Sequence, residues 1–153
     1  QAAELASRRG KRALADELLT EATGYANQSE RGEKRVTALA LVTLSAVRAD
    51  SVRVVWELLP ALVRASDEAD ELAFGALNLE FILGAGSGRL SFYALDAAVN
   101  LPDVFAAAAR LDPLRTFAEA RAFKDEELRA AALLYAARAV LDKSPTDRAV
   151  DAR

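Results

Sequence analysis

The residues best suited to chemistry form a glycine-rich segment near the middle of the chain, Gly84-Ala85-Gly86-Ser87-Gly88. Glycine carries no Cβ, so backbone amides in such a segment can approach a ligand closely, as they do in loops that hold phosphates and nucleotides. Gly84, Gly86 and Gly88 are therefore the candidate cofactor-binding residues. Whether they act in this way depends on the elements that flank them.

The longer segment Glu80 to Leu95, EFILGAGSGRLSFYAL, looks like the first motif of S-adenosylmethionine-dependent methyltransferases. That motif has an apolar strand, a glycine-rich turn and a helix, and the resemblance implies that the glycines would let the backbone approach the cofactor. No second strand with a terminal acid follows, and the alternating strand–helix pattern of such folds is missing. A loop between helices is the favoured interpretation. A small-ligand or S-adenosylmethionine-binding enzyme that uses this loop is the alternative.

Three absent residue types restrict other chemistry. The 153 residues include no Cys, no His and no Met. Thiolate nucleophiles, disulfides and thiolate metal sites are excluded, and the most frequent general base and metal ligand is missing. The serines at positions 29, 66 and 91 have no His to activate them. We therefore expect a non-enzyme with no catalytic residue, no metal site and no cofactor.

Bulk composition bounds the class of protein. Hydrophobic residues make up 52% and charged residues 28%, which is typical of one folded domain over residues 1–153. The net charge of −3 argues against nucleic-acid binding, and no apolar run is long enough to span a bilayer. The chain lacks even an initiator Met, which predicts a processed chain or a fragment of a longer protein. We expect it to be soluble, either cytoplasmic or exported after signal removal.

The clearest helical pattern lies at Phe123 to Lys143, FKDEELRAAALLYAARAVLDK. Asp125 and the two glutamates after it place negative charge in a helix's first turn, and Pro145 prevents continuation. Apolar residues at steps of three and four predict one buried face. Its members are Ala130, Leu133, Ala137, Val140 and Leu141.

Similar periodicity predicts helices along most of the chain. They cover Arg12–Ala26, about 30–49 capped by Ser29, Ser51–Ala65 capped by Asp50, a helix capped by Ser66 and continuing to Leu83, Leu90–Val99, Asp103–Leu111, and Leu114–Ala122 capped by Asp112 with Pro113. The only tryptophan, Trp56, falls within the third of these and is interpreted as core rather than as a ligand platform. Phe92 and Tyr93, after the glycines, could line a groove, although core packing is favoured.

The sequence predicts that the helices come in repeated pairs. A glutamate five residues before an Ala-Leu dipeptide occurs three times, with spacings of 38 and 56 residues: Glu33 before Ala38-Leu39, Glu71 before Ala76-Leu77, and Glu127 before Ala132-Leu133. A period near 38 is typical of a two-helix repeat, in which each hairpin buries its apolar face against its neighbour.

With this hairpin pattern and runs such as ELRAAALLYAARAVL, residues 12–143 resemble bacterial α-helical repeat proteins of tetratricopeptide-like or HEAT-like type. The aromatic and Gly-Tyr positions of true tetratricopeptide repeats are not present. The resemblance implies a scaffold or binding module. We therefore predict an all-α fold of antiparallel helical hairpins stacked as a short α-solenoid of about seven helices. The predicted function is non-catalytic binding of a protein partner or of another copy, with Trp56, Phe92 and Tyr93 as a possible interaction surface.

Overall fold

The computed structural model describes residues 1–69, 77–83, 86–92 and 101–142. Within them lie seven helices and one pair of strands. The helices are α1 Ala2–Arg8, α2 Arg12–Gln28, α3 Glu33–Arg48, α4 Val52–Asp67, α5 Leu101–Leu111, α6 Pro113–Arg121 and α7 Glu126–Leu141. The strands, β1 Leu77–Leu83 and β2 Gly86–Phe92, pair antiparallel. The predicted helical class and the number of about seven helices are confirmed.

The strand pair corrects two predicted helices. Residues 77–83 belong to β1, where the sequence predicted the end of a helix capped by Ser66, and residues 90–92 belong to β2, where a helix was predicted to begin. Ser66 is instead the penultimate residue of α4, buried, with its hydroxyl donating to the Leu62 carbonyl at 2.9 Å. The sequence prediction followed apolar residues at steps of three and four and overlooked an alternation with period two.

The predicted starts of α6 and α7 are confirmed. The Asp112 carboxylate accepts from the Arg115 amide at 3.0 Å, and Pro113 occupies the first turn. The Asp125 carboxylate accepts from the amides of residues 127 and 128, both at 2.9 Å. Both side chains satisfy amides that lack a partner within their own helix. Local sequence therefore fixes where these two helices begin.

Helices α1 and α3 end in the same way. Gly10 after α1 and Asp50 after α3 have φ values of +73° and +58°. In each case this residue's amide donates to the carbonyl three residues back, and the next amide donates to the carbonyl five residues back, at 2.8–3.1 Å. This is the Schellman motif, which usually places glycine at the left-handed position. Asp50 therefore ends α3. The prediction that it caps α4 is wrong.

The predicted cap of α3 is also corrected. Gly32 with φ +94° precedes α3, and no side chain caps it. Ser29 instead closes α2, because its hydroxyl donates to the Tyr25 carbonyl at 3.1 Å.

The helices pack mainly against helices that are near to them in chain order. Each odd-numbered helix packs on the next odd-numbered helix, so that α1, α3, α5 and α7 form one row. Helices α2, α4 and α6 form a second row in the same way, and consecutive helices connect the rows, as α1 with α2, α3 with α4, and α6 with α7. Helices α1 and α3 run parallel to each other, and so do α5 and α7. Glu4 and Ser7 of α1 meet Ser45 of α3 and the Ala49 carbonyl just after it, and α5 and α7 pack start against start and end against end.

One apolar core extends from α1 to the first half of α7, and a smaller cluster joins the ends of α5 and α7. Helix α4 is the most buried of the helices in its row, with Leu58, Leu59 and Leu62 among its fully buried residues. On α7 the buried residues are Leu128, Ala132, Ala136 and Ala139. The predicted face was wrong, since Ala130 and Leu141 are exposed. This helix carries apolar residues nearly all round, so its sequence does not define one face.

The first two helix pairs, α1–α2 and α3–α4, share several features at a spacing of 40 residues. The α1–α2 and α3–α4 units share the same three-residue connection, with Gly10 matching Asp50. Glu17-Leu18-Leu19 of α2 recurs as Glu57-Leu58-Leu59 of α4. The three Ala-Leu dipeptides behind the predicted period near 38 do not occupy equivalent places: Leu39 is fully buried, Leu133 is half-buried, and Leu77 begins β1.

Candidate interaction surface

The glycines proposed to hold a cofactor lie mainly in a strand. Gly86 and Gly88 belong to β2 and pair with Leu83 and Phe81 of β1, while Gly84 lies outside the described residues. The methyltransferase motif has a helix after its glycine-rich turn. The structure has an antiparallel strand there, so the described residues do not reproduce that motif.

Of the three aromatic residues predicted as an interaction surface, Trp56 has a described environment. It lies on α4, is 9% exposed, and its ring is covered by the Arg115 guanidinium of α6 at 4.7 Å from the ring centroid. This cation–π contact joins two helices of the same row. Phe92 is the last residue of β2 and pairs with Leu77, and Tyr93 lies outside the described residues. Trp56 is therefore part of the core, as the favoured interpretation had it.

A cavity of about 10 Å³ lies between α5 and α7. Its walls are apolar and include Leu101, Phe105, Phe123 and Leu128. The rings of Phe105 and Phe123 lie 5.5 Å apart beside it. This volume is near the minimum for one water molecule, and the walls offer no polar partner, so the cavity is expected to be dry. It is far smaller than the sites that hold metabolites.

The described part of the chain contains no group of three or more Asp, Glu, His or Cys side chains placed to hold a metal ion. Its longest helix, α2, has 17 residues, and none of its helices combines the length and apolar character needed to cross a bilayer.

The outer face of α2 carries an apolar stripe. Leu14 and Tyr25 are exposed, Tyr25 to 66%, and Leu18 is half-buried between them. The spacing of four and seven residues puts all three on one face of the helix. Forty residues later, the corresponding positions are Val54, Leu58 and Ala65, and all of them are buried. The face that is exposed on α2 is therefore buried at the equivalent positions of α4.

The outer face of α7 carries a second apolar stripe. Ala130, Leu134 and Leu141 are exposed, the two leucines to 45% and 74%. Their spacing of four and seven residues equals that of the α2 stripe. We call these two sets of three residues the α2 stripe and the α7 stripe.

Opposite charges lie at the N-terminal ends of these two helices. Exposed Arg8, Arg9 and Lys11 precede α2, whereas Glu126 and Glu127 are exposed in the first turn of α7. Glu126 forms an exposed ion pair with Arg129 at 3.3 Å. The beginning of α2 is thus basic on its outer side, and the beginning of α7 is acidic.

Polar contacts hold α2 against the second unit. The Ser51 hydroxyl, just before α4, donates to the Asp16 carboxylate of α2. Arg12 forms an exposed ion pair with Asp50 at 3.6 Å.

A carboxylate also holds α7 in position. Asp67, the last residue of α4, accepts from the Lys124 amide at 3.0 Å and from the Asp125 amide at 3.4 Å. Behind the α7 stripe, partial burial raises the pKa of Tyr135; Arg138 lowers this pKa and Asp103 of α5 raises it.

Comparison with protein-family models, with curated proteins and with solved structures finds no match to this chain. Function must therefore be inferred from the packing and surface of the chain itself.

Sequence reasoning missed both stripes as surfaces. It treated Leu14 and Tyr25 only as part of the predicted helix Arg12–Ala26, and it assigned Leu141 to the buried face of α7. Comparing the two copies of the 40-residue repeat would have marked the α2 stripe. The Glu-Leu-Leu triplets at 17–19 and 57–59 give the register for that comparison.

Proposed function

We propose that this chain is a non-catalytic protein-binding module, built as a short α-solenoid of antiparallel helical hairpins. One observation supports the proposal above the others. Most helices pack on their next neighbour, and each packs on its next-but-one neighbour in chain order, while α2 and α7 keep apolar stripes on their outer faces. Packing of this kind generates extended surfaces rather than an enclosed site.

The 40-residue repeat supports the solenoid interpretation. Units of this length, each a pair of helices, are typical of HEAT-like and armadillo-like arrays. In a closed bundle the first and last helices would pack together and share one central core. Here the contacts proceed stepwise from α1 to α7, and the apolar core follows them along the chain.

The exposed apolar residues support binding to protein. Single exposed leucines are common on any protein surface. A stripe on one helix face, with a buried equivalent elsewhere in the same chain, is a surface of the kind that packs against another helix. The cavity of about 10 Å³ between α5 and α7 is itself too small for a metabolite.

Site-specific photo-crosslinking tests this function. A photoreactive phenylalanine analogue is placed at Tyr25 or Leu141, in the two stripes, and in separate controls at the exposed polar positions Arg53 and Lys34. We expect discrete protein adducts from the stripe positions and none from the controls. Equal or absent labelling at all four positions would contradict a dedicated binding surface.

Isothermal titration with S-adenosylmethionine tests the alternative function. We expect no stoichiometric heat from the wild-type chain. Stoichiometric binding that is lost in Gly86→Val would replace the protein-binding proposal with a ligand-binding one.

A further inference from the structure

We propose that two copies of this chain bind head to tail, with the α7 stripe of one copy packed against the α2 stripe of the next. This inference rests on the proposed function and names its partner, a second copy. It depends on the order of the rows, the spacing of the stripes and the charges at their ends.

The order of the helices allows the stack to continue from copy to copy. Successive helices alternate between two rows, and α7 is the seventh. If a second copy follows, its α1 takes the next place in the row of α6, and its α2 takes the next place in the row of α7. Helix α2 of the second copy is then the next-but-one neighbour of α7 of the first copy, in the same row. Helices α5 and α7 of one copy have this same relation.

The two stripes match in this arrangement. Helices α1 and α3 run parallel to each other, and so do α5 and α7. Parallel alignment of equal spacings puts Leu14 beside Ala130, Leu18 beside Leu134, and Tyr25 beside Leu141. The small Ala130 faces a leucine and Leu141 faces an aromatic ring, so large and small side chains can interdigitate.

The same alignment brings opposite charges together. It places Lys11 beside Glu127, and Arg9 near Glu126. The ends that meet are the N-terminal ends of both helices, basic on α2 and acidic on α7. An antiparallel alignment would move these two charged clusters to opposite ends of the contact, so the charges select the parallel one.

The equivalent face of α4 is buried within this chain. On α4, the residues that correspond to the α2 stripe are buried, and α4 packs against α2, its preceding neighbour in the row. On α2 the same positions are exposed at Leu14 and Tyr25 and half-buried at Leu18. An apolar face of a parallel helix is therefore the expected occupant, and α7 presents one with the same spacing.

Sedimentation velocity over a concentration series tests the proposal. Because the two contacting faces differ, the contact does not close on itself, and the wild-type chain should grow beyond a dimer as concentration rises. Higher salt should reduce this growth, because it screens the exposed charges. A wild-type chain that sediments as a monomer throughout would overturn the proposal.

Two single variants separate this contact from a symmetric one. Tyr25→Arg blocks the α2 stripe and Leu141→Arg blocks the α7 stripe, and both positions are exposed enough for the fold to persist. Each variant alone should be monomeric, and an equimolar mixture should form a dimer and nothing larger. If Leu141→Arg alone still dimerises, the contact uses α2 twice, and if Tyr25→Arg alone does so, it uses α7 twice; either result refutes head-to-tail binding. Leu41→Arg, on α3, is the matched control and should behave as wild type.

A charge exchange provides a second test that does not alter the apolar stripes. Glu127→Lys should weaken association roughly two- to fivefold, the range expected for one exposed ion pair. Adding Lys11→Glu in the same chain should restore it, and failure to restore it would contradict the parallel register. A monomeric chain that still forms photo-crosslinks to a different protein would refute self-association and leave the protein-binding function intact.

Discussion

The Asp67 carboxylate is the clearest single polar link between the first four helices and the last three. It ends α4 and accepts from the amides of Lys124 and Asp125, in the connection that leads into α7. Asp67→Ala removes the acceptor and leaves both amides to water. Because this connection positions the start of α7, the substitution should destabilise the packing of α7 and not only the connection.

The size of the effect follows from the two distances. A hydrogen bond to a charged acceptor contributes about 1.5–3 kcal/mol. Here one bond is 3.0 Å long, the other is 3.4 Å, and both are partly solvated, so the lower end of that range applies. A negative charge at the C-terminal end of α4 opposes the helix dipole and costs about 0.3–1 kcal/mol, which the substitution recovers. With about 1.5–2 kcal/mol lost and about 0.3–1 kcal/mol recovered, the net loss in the free energy of unfolding should be roughly 0.5–1.7 kcal/mol.

Urea denaturation followed by Trp56 fluorescence measures this loss. Asp67→Asn keeps an oxygen acceptor without the charge and should lose less than Asp67→Ala. The neighbouring Glu68→Ala removes an exposed acid from the same helix end and should change stability by less than about 0.5 kcal/mol. Equal stability of Asp67→Ala and Glu68→Ala would show that this link does not stabilise the fold.

Three further predictions use the same measurements of stability. Leu59→Ala should lower the free energy of unfolding by about 2–5 kcal/mol because Leu59 is fully buried, whereas Leu114→Ala, at a residue 82% exposed, should be nearly neutral. Asp50→Gly should be neutral or stabilising and Asp50→Val should cost roughly 1–2 kcal/mol, because the φ of +58° strains a branched side chain. The raised pKa of Tyr135 means that the unfolded chain ionises first, so stability should fall as pH rises above the ordinary tyrosine pKa of 10.0, and less steeply in Tyr135→Phe.

Part of this fold could be predicted from sequence because its signals are local. Asp112 and Asp125 are N-caps whose hydrogen-bond partners lie within three residues. The amphipathic pattern of α2 through α4 gives those helices within a few residues of their bounds. These features depend on hydrogen bonds and periodicity inside a single element.

The errors arose where the pattern was degenerate. Residues 77–83 read LNLEFIL, which alternates apolar and other residues but also contains apolar steps of three and four. Both periods fit, and the shorter one is correct. On α7, alanine and leucine occur on every side. Packing against α5, and not the sequence of α7, therefore determines which of its residues are buried. Asp50 could pass for an N-cap because Asp favours both that position and the left-handed conformation.

The interaction surface could not be predicted for a different reason. Exposure of the α2 stripe depends on which helix lies beside α2, and that is a property of the packing order. Trp56 stood out in the sequence as the only tryptophan, yet Arg115, 59 residues later, covers it. The sequence prediction chose Trp56, Phe92 and Tyr93 for their residue type. The structure instead exposes Tyr25 and leucines that occupy ordinary helical positions.

Distances between pairs of spin labels, measured by double electron–electron resonance, test the row arrangement most directly. Because the chain has no native Cys, labels can be attached only at introduced cysteines. Labels at exposed positions Leu5, Leu41, Asp103 and Arg138 report on the four helices of the odd-numbered row. Since packed helices lie about 8–10 Å apart, the distances from α1 to α3, α5 and α7 should increase in that order by about one such step each. A distance from α1 to α7 as short as that from α1 to α3 would show a closed bundle and contradict the stacked arrangement.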